Sequence, residues 1–283
     1  MMSEAPLSCE ALLKQAADVI GGDTPRLDAE LMLSDVTGWS RTSFRAWPER
    51  EVNVAEVARF CTLVEQRCEG RPVAYLLGEQ EFWSLPLKVS PCTLIPRPDT
   101  ECLVEAALAL ELPENAKVLD LGTGTGAIAL ALASERPGWQ VSASDAVTEA
   151  VELATENATR LGLPVTVRQS NWFADLPAGC FDLIVSNPPY IAGKDHHLSE
   201  GDVRFEPASA LVAGNDGLDD IRRITTEAPA WLSPGGWLML EHGYEQGAAV
   251  HRLFTQAGFA SVETRQDYGR RDRYTLGRKH HAE

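Results

Sequence analysis

Apolar residues recur at helical spacing through residue 70 and then in short, strand-like runs to the end of the chain. In the first stretch Leu27 and Leu31, and later Val54, Val57, Ala58, Cys61 and Val64, each fall on one helical face. Punctuation agrees with that spacing. Ser8 is placed to cap a helix ending at Gly21, Thr24 followed by Pro25 opens a second ending near Gly38, and Asn53 opens a third that stops at Gly70. A small helical bundle over residues 1–77 is the expected result, serving either as scaffold or as a docking module for a large substrate.

From residue 78 the texture changes. "QEFWSLPLKVSP" holds two short apolar runs around Ser84 to Pro86, which predicts a hairpin linker over 78–95. The proline-rich "TLIPRPDTE" then leads into a helix, "ECLVEAALAL". Beyond Lys117 strands and helices alternate: "KVLDLG" and "AIALALASE", "QVSASD" and "EAVELATENATRL", then "VTVRQS", "FDLIVS" and "WLMLEHG" with amphipathic helices around them. Short β-rich runs separated by helices, with glycine at the junctions, predict an α/β fold over 96–283: a doubly wound, mostly parallel sheet. The last two runs, "ASVETRQ" and "RYTLGR", have no helix between them and are expected to pair antiparallel at one edge.

Composition narrows the function classes. The 283 residues carry 41 acidic against 25 basic side chains, a formal net charge of -16, which repels a nucleic-acid backbone. The start, "MMSEAPLSCE", lacks a basic leader with an apolar core, and "AIALALA" from Ala127 is too short to span a bilayer, so a cytoplasmic protein is expected. Cys9, Cys61, Cys68, Cys92, Cys102 and Cys180 show no C-x-x-C spacing and are expected to be buried free thiols. His196 with His197, and His280 with His281, are adjacent pairs expected to point apart at the surface, so no metal is predicted.

Two segments carry the candidate chemistry. "DLGTGTGAIAL" sets Gly122, Gly124 and Gly126, with Thr123 and Thr125 between them, at a strand-to-helix turn whose free amides suit a nucleotide cofactor. Gly122, Gly124 and Ala127 also satisfy the loose dinucleotide fingerprint, with Asp145 where a ribose-binding carboxylate belongs. Asp120, two residues before the first glycine, opposes a pyrophosphate and favours a cationic ligand such as S-adenosylmethionine. Trp172, after "VTVRQS", is either a cover for an adenine ring or a core tryptophan.

"NPPY", after the apolar run "FDLIVS", falls at the carboxyl end of another strand facing the same crevice. Proline keeps its carbonyl and lacks an N–H, so the segment is stiff and rich in acceptors. The Asn187 side-chain oxygen and the Pro188 carbonyl can receive both protons of a substrate –NH2, with Pro189 extending the segment and Tyr190 as a flat wall. Such a clamp suits methylation of a nitrogen whose lone pair is delocalised: it orients the nitrogen and stabilises the charge gathered in transfer.

Taken together, "LIPRPDTE", "DLGTGTG", "FDLIVSNPPYI", "EPASAL" with "GNDGLD", "PGG" before "LEHG", and "DYGRRDRYTLGR" resemble the release factor glutamine methyltransferases in content and order. That resemblance implies a Rossmann-like class I methyltransferase domain preceded by a helical domain. It also implies S-adenosyl-L-methionine as donor and the glutamine of the Gly-Gly-Gln motif in peptide chain release factors as acceptor. By position, Gly122 to Gly126 match the donor loop, Asp145 the ribose ligand and Trp172 the adenine neighbour. Asn187 matches a residue touching donor and substrate, and Asn187, Pro188, Pro189 and Tyr190 match the substrate motif. Asn171 departs from the acid that some members carry there, and the tail "KHHAE" matches nothing. The resemblance further makes Arg97, Thr100 and Glu101 candidate wall residues. Nucleic-acid amino methyltransferases share the Asn-Pro-Pro-aromatic segment, but the region before residue 75, with Glu30, Asp35, Glu49 and Glu51, is not basic.

Overall fold

A computed structural model describes residues 7–177 and 179–280. His281 and the rest of the tail after it lie outside the described residues. Two compact units divide at Glu79 and Gln80.

The first unit has helices α1 (Cys9–Ile20), α2 (Pro25–Thr37), α3 (Arg41–Ala46), α4 (Val54–Cys68) and α5 (Val73–Leu77), with a two-residue pairing of β1 (Leu7–Ser8) and β2 (Glu51–Val52). Ser8 caps α1 through Ala11 N, and Asn53 with Glu56 forms a reciprocal capping box on α4. Thr24 differs from its expected role: its hydroxyl bonds Asp28 Oδ1 at 3.1 Å, and Pro25 alone marks the start of α2. Leu13, Met32, Leu33, Phe44 and Phe60 fill the core. The pattern did not show α3, α5 or the small pairing, each too short for a periodic signal. Glu30, one of the acids that keep this region from being basic, is buried between Arg26 and Arg41, and Asp28 pairs with Arg67 at 2.7 Å.

From Gln80 the second unit opens with the rest of strand β3 (Glu79–Phe82) and with β4 (Leu85–Lys88), joined through Trp83 and Ser84, whose φ values of 53° and 58° are those of a type I′ turn. These left-handed non-glycine residues are held from outside: Trp83 N donates to Glu101 Oε1 and its indole N–H to Glu135 Oε1, at 2.9 and 2.8 Å. After α6 (Glu101–Leu108) come β5 (Lys117–Leu121), α7 (Ala127–Glu135), β6 (Gln140–Asp145), α8 (Thr148–Leu161), β7 (Thr166–Gln169) and β8 (Phe181–Ser186). Then follow α9 (Asp219–Trp231), β9 (Leu232–Glu241), α10 (Gly247–Gln256), β10 (Ala260–Gln266) and β11 (Asp272–Arg278).

Strand order is β10-β11-β9-β8-β5-β6-β7, parallel from β9 to β7, with β11 antiparallel to both β9 and β10. Period-two alternation divides the core. Val118, Leu183 and Val185 face the alanine-rich α7, while Leu119, Leu121 and Ile184 face α9 and α10. The strand order reverses between β5 and β8, so the loops leaving these two strands flank one crevice. Among the described residues no helix is long and apolar enough to cross a membrane.

Candidate active site

At that crevice lies a cavity of about 300 Å³, lined by the loops after β5, β6, β7 and β8 and by the segment before α6. Its size is that of a small-molecule site.

The glycine loop leaves β5 with Gly122 at φ 67°, a left-handed conformation that disfavours a side chain. A Cβ there would also meet Trp172 Cζ3 at 3.3 Å, so the glycine lets the indole lie directly on the backbone. Gly126 caps α7, whose first residues, Ala127 and Ile128, reach the cavity. Thr123 and Thr125 are buried. Behind the loop, Asn157 on α8 donates to Thr125 O at 2.9 Å.

Asp145 ends β6 on the cavity wall. Its Oδ2 accepts from Gly124 N and its Oδ1 from Val147 N, each at 2.9 Å. Each oxygen keeps capacity for a second donor, so an oriented carboxylate is presented at the strand end. Trp172, at φ 55°, lines the wall beside it and donates its indole N–H to Asp220 Oδ1 at 3.1 Å. Burial raises the Asp220 carboxyl's pKa against the pull of that bond. Asn171 also lines the cavity, and its Oδ1 accepts from Arg223 at 2.7 Å.

The wall opposite comes from "IPRPDTE" and "EPASAL". Arg97 and Thr100 line the cavity, as do Ser209 and Ala210. Arg97 is ion-paired with Glu206, whose carboxyl is pushed up by burial and pulled back by that guanidinium. Glu101, expected beside them, turns away to hold the Trp83 turn.

Of the four residues after β8, Asn187 and Pro189 line the cavity. Asn187 Nδ2 donates to Thr100 Oγ1 at 3.1 Å, which leaves Oδ1 as its acceptor. Pro188 is buried and off the lining. Tyr190 differs from the flat wall expected of it: its ring packs into the core cluster facing α9, and its hydroxyl donates to Glu241 Oε1 at 3.4 Å. The stiff turn carries the fourth residue past the cavity and under the sheet end. Burial and the neighbouring Glu241 charge raise the Tyr190 pKa, so the phenol stays protonated.

Asp120 corrects its expected role most clearly. It is fully buried on the α7 side of β5, where Oδ2 accepts from Thr123 Oγ1 at 2.6 Å and Ala129 N at 3.2 Å. Strand alternation aims it beneath the loop, away from the ligand face. Burial pushes its pKa up to about 7, so it braces the loop more than it supplies charge.

The expected histidine and cysteine placements also change. His196 and His197 sit in a 3₁₀ turn with ring centroids 4.0 Å apart, both near Asp195 Oδ1, because consecutive side chains diverge less there than on a strand. All three lie off the cavity lining. Cys9 and Cys102 are buried, but Cys68 and Cys180 are exposed and Cys61 and Cys92 half-buried. His242, which no sequence signal separated from its strand, is wholly buried, with Nε2 2.9 Å from Thr275 Oγ1. Asp220, from the first turn of α9, joins the lining without a sequence warning, and Thr93 and Ser209 join it from the segments "TLIPRPDTE" and "EPASAL", where no signal singles them out.

Residues 8–78 match the family model described as the PrmC N-terminal domain, and residues 99–215 match the Methyltransferase small domain. Proteins named release factor glutamine methyltransferase from Pseudomonas aeruginosa, Salmonella typhimurium and Escherichia coli are 59%, 54% and 52% identical to this chain. Each alignment covers 90% of this chain, and 94%, 93% and 93% of the three relatives. Among solved structures, a methyltransferase from Pyrococcus furiosus superposes with a TM-score of 0.54 at 22% identity, over 69% of this chain and 89% of that one. The hMettl16 catalytic domain, in complex with an RNA hairpin, gives 0.58 at 17% identity over 83% and 86%. At such identities the structural likeness carries the fold alone.

Proposed function

The chain belongs to the release factor glutamine methyltransferase family, and on that premise we propose that it methylates the side-chain amide nitrogen, N5, of the glutamine in the Gly-Gly-Gln motif of peptide chain release factors. S-adenosyl-L-methionine, when bound, supplies an electrophilic methyl group.

The cavity's chemistry fits that donor better than a dinucleotide. Asp145 and Asp220 line it, and Arg97, the one cation among the described lining residues, is already paired with Glu206. A pyrophosphate would meet carboxylates without a free counter-charge, whereas a sulfonium with an ammonium is welcomed. On this proposal the backbone from Gly122 through Thr123, Gly124 and Thr125 to Gly126 cradles the donor, Asp145 accepts from its ribose hydroxyls, and Trp172 lies beside its adenine.

The observation that carries the proposal is the orientation of Asn187. Because one N–H of its amide is given to Thr100, which fixes the amide's orientation, its oxygen is left to accept from a substrate –NH2. With the Pro188 carbonyl as second acceptor, the amide nitrogen is held facing the methyl group and its growing positive charge is stabilised. Pro189 shapes the wall and Tyr190 anchors the segment from below. The nitrogen sheds its proton after transfer, so the chain needs no strong base at this point.

Residues 1–77 are proposed to hold the release factor, 78–95 to link, and 96–283 to carry out transfer, in the cytoplasm where release factors act. Incubation with labelled donor and an unmodified release factor tests the activity. Label should enter the wild-type factor and not one whose Gly-Gly-Gln glutamine is alanine; equal labelling of both rejects the target. Calorimetry with S-adenosylmethionine and with NAD tests the donor, and preference for NAD rejects it.

A further inference from the structure

Beneath Asn187 lies a buried carboxyl that the transfer chemistry does not itself require. Glu241, the last residue of β9, is 1% exposed. Its Oε1 receives the Tyr190 hydroxyl in a long bond of 3.4 Å, and its Oε2 has no hydrogen-bond partner. The Thr100 hydroxyl adjoins the same carboxyl and favours its charged form. Thr100 is itself 4% exposed and already accepts from Asn187 Nδ2. A threonine hydroxyl has one proton to give, and Glu241, with a buried oxygen to spare, is an acceptor beside it.

We propose that Glu241 and Thr100 are positioning residues that fix the hydrogen-bond polarity of Asn187, and with it the ability of the site to accept a primary amide. With Glu241 ionised, the Thr100 O–H points to the carboxylate and the Thr100 oxygen accepts from the Asn187 –NH2. Asn187 Oδ1 is then presented to the cavity. With Glu241 protonated, the carboxyl no longer draws the Thr100 proton, which can turn to Asn187. The Asn187 amide then has reason to flip and offer its own –NH2 to the substrate –NH2, donor against donor. The inference deepens the proposed methyl transfer and rests on it for its kinetic test.

The surroundings put this switch within the working range of pH. Thr100 and Asp99 face Glu241 from the turn before α6, Cys102 from α6, Tyr190 from the segment after β8 and Arg273 from β11. Arg273 is the one cation among these, and it is shared with Asp267 at 2.9 Å and Asp99 at 3.3 Å. Burial raises the Glu241 carboxyl to about 7, while Thr100 and Arg273 pull it back.

The first test is kinetic, on the full chain with an intact release factor. Thr100→Val keeps the shape and removes the hydroxyl; it should lower kcat by roughly 10- to 100-fold, the loss of one charge-assisted hydrogen bond, with donor Kd changed less than about threefold. Thr100→Ser should restore most of kcat. Wild-type kcat should fall as pH drops through about 7, and Glu241→Gln should lose that limb. Full kcat in Thr100→Val, or an unchanged acid limb in Glu241→Gln, overturns the inference. The second test needs no activity: the side-chain amide resonances of Asn187 should shift with the titration of Glu241 in wild type and stay fixed in Thr100→Val. Coupled resonances in a protein that fails to methylate any release factor would keep the relay and reject the function. Resonances that ignore Glu241 reject the relay whatever the activity.

Discussion

Asn157 on α8 grips Lys88 at both of its backbone groups: Oδ1 accepts from Lys88 N at 2.8 Å and Nδ2 donates to Lys88 O at 3.0 Å. The same Nδ2 reaches Thr125 O at 2.9 Å, so one wholly buried amide ties the end of the hairpin to the glycine loop. Asn157→Ala leaves several buried backbone groups without partners and should cost about 2–4 kcal/mol, read as a lower urea midpoint at unchanged slope. Asn157→Asp retains the acceptor but sets a carboxylate against two carbonyls. It should be at least as destabilising, and a variant of near wild-type stability would contradict the clasp.

The glycine loop should be sensitive by position. Gly122→Ala combines a φ of 67° with a methyl 3.3 Å from the Trp172 ring, so the loop and the indole must both give way. Gly124→Ala is strained by its φ of 55° but has room, with Thr93 Cβ at 3.8 Å. Titration calorimetry with S-adenosylmethionine should therefore show the larger affinity loss at Gly122, by roughly tenfold or more for strain of about 1–3 kcal/mol. The reverse order would mean that Trp172 does not shape the donor pocket.

Asp145 is moored by Gly124 N and Val147 N. Asp145→Asn presents an –NH2 where a carboxylate oxygen stood, opposing either a loop amide or a ribose hydroxyl. Donor affinity should fall about 10- to 100-fold, as for a lost charged hydrogen bond. Removing the ribose hydroxyls from the donor should weaken wild type strongly and Asp145→Asn little. Equal losses in both would dissociate Asp145 from the ribose.

Asp120 bears on stability against pH. Its folded pKa, about 7, lies above the ordinary 3.8, so between these values the folded protein keeps a proton that the unfolded chain has released. Stability from this group is full below the ordinary value and is lost as pH rises toward 7. Asp120→Asn should flatten that part of the curve, so its stability relative to wild type improves from pH 5 to pH 8. His242 acts at the acid end, because burial depresses its pKa and charging it below the ordinary value destabilises the fold. A wild-type to Asp120→Asn difference that does not change with pH would contradict the buried, protonated carboxyl.

Much of this architecture was legible in the residue pattern because the pattern has a direct physical cause. The short apolar runs in "KVLDL" and "FDLIV" reflect a sheet covered on both faces, and glycines at Gly122 and Gly126 mark backbone that left-handed φ requires. Capping by Ser8 and Asn53 is local, so it too could be read. What the pattern misjudged depends on direction. Asp120 and Asp145 look alike as strand-end acids, yet one points under the loop and the other onto the cavity wall. Tyr190 sits beside three site residues but turns to Glu241, 51 positions away. Asp220, in the first turn of α9, and Ser209, in the turn of residues 208–210, come to the wall from segments whose place is set by the whole sheet.

The most direct measurement uses the intact chain, S-adenosylmethionine and an unmodified release factor, followed by fragmentation mass spectrometry of the Gly-Gly-Gln peptide. One methyl should appear on the glutamine side-chain nitrogen with wild type. It should be lost with Asn187→Ala, while donor binding by calorimetry stays within about threefold, because the glycine loop and Asp145 are untouched. Methyl on any other residue, or undiminished transfer by Asn187→Ala, would contradict the account.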